Sequence, residues 1–134
     1  MPTEVVLTIT GFRKPGLDES SLHEYLTNHH APLALPFLLK YGVKEYTLID
    51  QFSTFTPHAE QMHMTEKLAD CDYIVQFVMD DIRQFTRLWE DEEFRKTVKP
   101  DHVNFADESK SGISIGYRTR FIPPEKERLG QLRN

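Results

Sequence analysis

Six histidines punctuate the 134-residue chain, and two of them stand where an imidazole could do acid–base work. His30 closes the series Leu22, Tyr25, Leu26, His29, His30, which recurs at i, i+3, i+4, i+7 and i+8 and so marks one face of a helix. Sharing that face with Leu22 and Leu26, His30 is expected to point inward. Pro32 disfavours helical geometry at Ala31, so the helix is expected to stop at the histidines. There the terminal carbonyls favour an imidazolium, whereas burial favours the neutral ring. A ring balanced between the two titrates near neutrality, where a general acid or base works best. The alternative is a buried imidazole that merely caps a terminal carbonyl. His29 is turned about a hundred degrees away around the helix, which makes it the weaker candidate.

His102 lies in Asp101-His102-Val103-Asn104-Phe105-Ala106-Asp107, a short irregular stretch after a helix, and loops commonly deliver functional groups. Val103 and Phe105 would tuck the stretch inward, and Asp101 or Asp107 could orient the ring; the alternative is a surface histidine in a polar turn. Asp50 alternates with Tyr46, Leu48 and Phe52. A carboxylate on an apolar face is costly unless paired, so Asp50 is expected to hold a histidine or a substrate hydroxyl, or to sit at the wet rim of a dimer interface. The phenols of Tyr25, Tyr46, Tyr73 and Tyr117 could hydrogen-bond a developing enolate oxygen, although at least two should be ordinary core residues. Phe77, Phe85 and Trp89 would wall a planar aromatic ligand, or simply fill the core.

Those side chains need a scaffold, and the punctuation of the chain outlines one. EVVLTITGF (4–12), VKEYTLIDQF (43–52), CDYIVQFVM (71–79) and residues 112–121 alternate like strands. A helix opening at Asp18-Glu19-Ser20-Ser21, with Ser21 and Glu24 as a capping box, follows the first strand. A second short helix is expected from Pro36 to a stop at Gly42. After the third strand, Asp80-Asp81 caps a helix with the stripe Ile82, Phe85, Leu88, Trp89, and a short continuation carries Phe94 and Val98. Residues 53–70 read as a long irregular connection, of the kind that often covers a site. The order β-α-β-β-α-β predicts an α+β, ferredoxin-like domain over residues 1–120 with an antiparallel four-stranded sheet. One face of such a sheet is left bare, so a homodimer forming a dimeric α/β barrel is expected. Residues 121–134, with Pro123-Pro124, read as a C-terminal arm or tail.

Composition excludes several classes. A net charge of −5 argues against a nucleic-acid partner. Cys71 is the single cysteine, which rules out an internal disulfide and a cysteine-rich zinc site. No apolar run approaches the roughly 20 residues of a membrane span and no signal sequence is evident, so a cytoplasmic protein with no membrane partner is expected. His58 and His63, five apart in a loop, do not have a zinc or non-haem iron spacing. Without a Gly-rich phosphate loop or a nucleophile elbow, no metal, flavin or nicotinamide cofactor is expected.

Residues 14–47, KPGLDESSLHEYLTNHHAPLALPFLLKYGVKEYT, resemble the EthD family of dimeric α/β barrels. The resemblance rests on the Lys14-Pro15-Gly16-Leu17 opening, Glu24-Tyr25 some residues on, and His30-Ala31-Pro32-Leu33. Asp72-Tyr73-Ile74-Val75 and the run from Pro100 to Phe105 resemble later blocks of the fungal branch, so most of residues 6–118 is covered. Leu26 stands where the family often has Trp, which would alter the pocket floor. The resemblance implies a pocket in each subunit between sheet and helices. It also implies a cofactor-free lyase, a dehydratase or decarboxylase of an aromatic polyketide intermediate in fungal-type secondary metabolism. His30 would be base or acid, His102 its complement, and Asp50 or a tyrosine would orient the substrate. A polyketide cyclase or isomerase, a cofactor-free monooxygenase and a non-catalytic ligand-binding dimer are the alternatives, because one scaffold hosts many chemistries.

Overall fold

A computed structural model describes residues 3–127. Runs rich in β-branched and aromatic residues form β1 (Glu4–Gly11), β2 (Glu45–Asp50), β3 (Tyr73–Met79) and β4 (Gly112–Arg118). They make one antiparallel sheet in the order β2-β3-β1-β4. With helices between β1 and β2 and between β3 and β4, the architecture is the ferredoxin-like α+β arrangement that the alternation predicts.

Register decides which residues meet. Leu7 lies opposite Phe77 and Ile115, Ile9 opposite Val75 and Ile113, and Tyr46 opposite Phe77. The strand pleat therefore puts Leu7, Ile9, Tyr46, Leu48, Val75 and Phe77 on one face, where the helices cover them and form the core. Thr8, Thr10, Thr47, Ile49, Ile74 and Gln76 fall on the other face. β4 reaches past the helices, so Ile113, Ile115 and Tyr117 remain exposed even though they lie on the helix side.

The first helical run departs from expectation in an informative way. Asp18, not Ser21, is the N-cap of α1 (Glu19–Tyr25); its carboxylate accepts the Ser21 N–H at 2.7 Å, because the chain turns helical before Ser21 is reached. The helix does not end at the histidines. A π turn (Leu26–His30) carries it directly into α2 (Ala31–Lys40), with Ala31 at φ −62°, ψ −45° and its N–H bonded to the Leu26 carbonyl five residues back. Pro32 falls in the first turn of α2, where a missing N–H is tolerated, and the wider π turn ahead of it takes up the change of pairing. The segment from Pro36 thus belongs to α2, which ends where Gly42 adopts φ 78°.

The stretch expected to be irregular is largely helical. Phe52–Phe55 forms a 3₁₀ turn, α3 (Thr56–Gln61) buries Ala59, and Thr65–Lys67 forms a second 3₁₀ turn. The first of these turns and Leu68 line a groove with Cys71 and Ile74, and no residue of 53–70 lines the cavity described below. After β3 come α4 (Arg83–Glu90) and α5 (Glu92–Thr97), separated by Asp91. Asp91 caps Phe94 N–H at 3.1 Å and accepts from Tyr41 Oη at 2.6 Å, which ties α5 to the end of α2.

A 3₁₀ segment (Lys99–Asn104) follows and is stitched to the end of β1 by two backbone bonds, Lys14 N–H to Phe105 O at 2.9 Å and Asp107 N–H to Phe12 O at 2.8 Å. Among the described residues no helix is long and apolar enough to cross a membrane. Of the expected C-terminal arm, Phe121 and Ile122 are almost fully exposed, and residues 128–134 lie outside the described residues.

Candidate active site

The π turn has a geometric consequence. On an α-helix, side chains five residues apart diverge by about 140°. In a turn closed by i→i+5 pairing they stack instead, and here Tyr25 and His30 both reach one buried carboxylate, that of Asp101. Tyr25 Oη donates to Asp101 Oδ1 at 2.5 Å and His30 Nδ1 donates to Oδ2 at 2.8 Å. Asn104 Nδ2 adds a bond to Oδ1 at 2.9 Å. The side chains of His30 and Asp101 are only 7% and 6% exposed.

Burial alone would raise the Asp101 carboxyl, but the donors Tyr25, Asn104 and His30 outweigh it and hold the group below its ordinary value. Asp101 is therefore an anion and must accept, so the His30 Nδ1 carries the hydrogen and Nε2 the lone pair. Burial also lowers the His30 pKa below the ordinary 6.5; the bond to Asp101 opposes that shift and the neighbouring His102 adds to it.

His102 stands beside this pair, its ring centroid 4.7 Å from that of His30 at 67°. Neither Asp101 nor Asp107 orients it, contrary to the sequence expectation. Its Nδ1 donates to the Lys99 carbonyl at 2.9 Å within its own 3₁₀ segment, and Asp107 is occupied with Ser109. A carbonyl only accepts, so the neutral His102 also keeps its lone pair on Nε2. Phe105, almost fully buried, packs against His30 and His102 at 4.6 and 5.4 Å and fixes both rings.

Both imidazoles line a cavity of about 290 Å³ between the sheet and the helices. Its walls are Ile9, Leu26, Val75, Phe77, Trp89, Phe105 and Ile113, with Tyr46, Tyr73, Lys99, Glu108 and Ser111 as its further polar groups. A lobe of about 30 Å³ shares His30, His102, Tyr46 and Trp89 and runs on to Phe85. Tyr46 and Phe77 stack at 5.1 Å and Phe85 and Trp89 at 6.0 Å, which gives the cavity flat aromatic walls. Burial pushes the Tyr46 phenol up to about 12. It raises Tyr73 as well, with the charges of Glu108 and Asp72 adding to the effect. Both phenols thus remain O–H donors at neutral pH.

The structure brings together His30, His102, Tyr46, Tyr73, Phe77, Phe85 and Trp89. It sets three expected residues apart. Asp50 does hold a histidine, but the histidine is His23, at 2.5 Å, and neither residue lines the cavity. Tyr25 stands behind Asp101 instead of facing a ligand. Tyr117, 77% exposed on β4, lies on the part of the sheet that the helices leave uncovered. His29 is exposed, with Nε2 3.6 Å from Asp101.

The residues that the sequence left unassigned are Asp101 as the partner of His30, and Lys99 and Glu108 as cavity-lining charges. The contact between His30 and Asp101 spans 71 residues and has no local signature. Among the described residues no three His, Cys, Asp or Glu side chains converge as a metal site.

Residues 14–109 match the model of the EthD domain. The chain is 42% identical over 118 residues to a protein of Metarhizium robertsii named conidial pigment biosynthesis dehydratase EthD, covering 87% of this chain and 83% of that one. It is 38% identical to dehydratase aurZ of Gibberella zeae, covering 90% and 80%, and 36% identical to decarboxylase claH of Passalora fulva, covering 87% and 77%. Among solved structures, an EthD-family protein of Bacillus halodurans superposes with a TM-score of 0.58 at 14% identity, over 87% of this chain and 99% of the other. SnoaB, a cofactor-independent oxygenase of Streptomyces nogalater, gives 0.57 at 12%, over 90% and 98%. The structural likenesses concern the fold alone, and with the sequence matches beside them this chain belongs to the EthD domain family.

Proposed function

We propose that the protein is a cofactor-free lyase that dehydrates or decarboxylates an aromatic polyketide intermediate. The observation that carries this reading is the Asp101-backed His30 beside His102, at an aromatic-walled cavity, in a chain whose relatives are named dehydratases and decarboxylases. In a dehydration, His30 Nε2 removes the proton next to a ketone. The imidazolium that forms is stabilised by Asp101 behind it, and the enolate oxygen accepts hydrogen bonds from Tyr46 and Tyr73.

Each imidazole in its neutral form presents its lone pair at Nε2, and a neutral ring is not an acid at the outset. The proton that leaves with the β-hydroxyl is the one taken from carbon, returned by His30 directly or through His102. Water departs, the carbon–oxygen bond breaking as the new double bond forms, and aromatisation drives the step. Decarboxylation of a β-keto acid passes through the same enolate and uses the same phenols.

As a second element of the proposal, two such chains pair through the bare sheet face carrying Thr8, Ile49, Ile74 and Gln76. A cytoplasmic homodimeric barrel is the assembly that this face suits.

The test is a mass-spectrometric time course on a freshly generated anthraquinone-precursor polyketide, with wild type, His30→Ala and His102→Ala, in air and without oxygen. Loss of water or carbon dioxide, independent of oxygen and abolished by His30→Ala, is the expected result. An oxygen-dependent product would make the protein a monooxygenase, and a rearrangement without loss of mass a cyclase or isomerase. An unchanged substrate would leave a ligand-binding dimer.

A further inference from the structure

Among the described residues that line the cavity Lys99 is the one ammonium, and its position is set from two sides. Its backbone carbonyl accepts the Nδ1 hydrogen of His102 at 2.9 Å, so the ammonium and the imidazole hang from one 3₁₀ segment. Its Nζ lies over the Trp89 ring, 4.8 Å from the centroid. Lys40 and Lys44 are ion-paired with Asp91, Glu4 and Asp80; Lys99 rests on an indole face instead, and among the described residues no carboxylate lies within 4 Å of its nitrogen. Such a contact buries the methylene stem while leaving the charge available to an incoming group.

Among the described residues the cavity's carboxylate is that of Glu108, which makes no ion pair with Lys99. Glu108 Oε1 lies 4.0 Å from His102 Nδ1, and its charge is one of those that raise the Tyr73 phenol. A ligand anion is repelled there and attracted at the Lys99–Trp89 corner, whereas a neutral hydroxyl edge is acceptable near Tyr73 and Ser111.

We propose that Lys99 is a specificity-determining residue that anchors a carboxylate carried by a planar aromatic ligand, so that the cavity prefers the aromatic acid to its neutral counterpart. The inference rests on the reading of this cavity as an aromatic-substrate site and names the chemical class that enters it.

Trp89 is the single tryptophan of the chain, so ligand binding can be followed by quenching of its fluorescence without knowing the natural substrate. Anthraquinone-2-carboxylate and its methyl ester are the probes, titrated into wild type and Lys99→Met, which keeps an apolar stem over the indole. The acid should bind wild type roughly tenfold more tightly than the ester, as a charge-assisted contact provides. Lys99→Met should remove that preference by weakening the acid alone, leaving the ester within about twofold. Added salt should weaken the acid more than the ester.

Equal affinity of acid and ester for wild type, or an equal loss of both in Lys99→Met, would overturn the anchor and leave the aromatic cavity standing. Failure of both probes to bind wild type would overturn the cavity reading and the anchor with it.

Discussion

His23 and His30 lie seven residues apart on one continuous helical run, and each gives Nδ1 to an aspartate. The His23–Asp50 bond is the shorter, 2.5 Å against 2.8 Å, yet it is the pair that faces no cavity. Its histidine side chain is 41% exposed and its carboxylate 12%, against 7% and 6% for His30 and Asp101. In the first pair water shares the work of solvating both groups, so the bond ties α1 to the end of β2 and little else. In the second, water is excluded and Asp101 is gripped by three donors. The His30 ring packs edge-on against a second imidazole, and both line an aromatic-walled cavity. A histidine–aspartate bond is therefore not a site in itself. What its surroundings exclude, and what its other nitrogen faces, make it one.

The sharpest way to break this contrast is to remove the carboxylate behind His30. Asp101→Asn should lower kcat by roughly 10²-fold, within the range that general acid–base assistance supplies. It should also move the acid limb of kcat/KM. Burial already sets the His30 pKa below 6.5, so wild-type activity should persist below the usual imidazole range. Asp101 opposes that depression, and its loss should carry the limb to still lower pH. Stability follows the same sign. Between the folded pKa and 6.5 the unfolded chain binds a proton that the buried ring does not, so the fold weakens as pH falls through that window. A kcat unchanged in Asp101→Asn would make the two pairs equivalent.

A smaller effect tests the cavity wall rather than the pair. A Cβ built on Gly11 would lie 1.9 Å from Tyr73 Cζ, because the Tyr73 ring lies across the bare glycine of β1. Gly11→Ala must displace the ring or the strand, at a cost of about 1–3 kcal/mol in urea unfolding. It should cut kcat about tenfold as the phenol is moved. Tyr73→Phe keeps the ring and loses the hydroxyl, so it should reproduce the kcat loss with stability nearly intact. If Tyr73→Phe is fully active, the phenol is a packing group and the enolate is held elsewhere.

The strands and the inward aim of His30 were legible because period-2 and period-3.6 patterns report which face is buried, and that needs no long-range knowledge. The π turn was not legible. Pro32 was a sound reason to end a helix, but a single wider turn gave the chain another way through. Asp101 was hidden because its partner lies 71 residues away, and a neighbour-based reading gave it to the adjacent His102 instead. Asp50 shows a subtler limit. Alternation put it on the same face as Tyr46, correctly, but four residues along a strand is about 13 Å. That distance carries it out of the cavity and under His23 on α1. Periodicity specifies a face; the position along it depends on where the helices stop.

The smallest expected effect completes the contrast. His23→Ala removes the shorter of the two bonds and leaves Asp50 mostly buried without its partner. Because the lost imidazole is 41% exposed, solvent replaces much of the interaction, and the cost should be about 1 kcal/mol, read as a small drop in the urea midpoint. Activity should stay within about twofold of wild type, since His23 and Asp50 border no part of the cavity. The two pairs belong to the same helical run, so a general loosening of that run would register at His30 as well. Preserved kcat together with an unmoved acid limb would show that α1 passes no strain through the π turn to the buried pair. A fall in kcat like that of Asp101→Asn would mean that the catalytic geometry depends on how α1 is fastened to β2, and that the outer pair is part of the site's support.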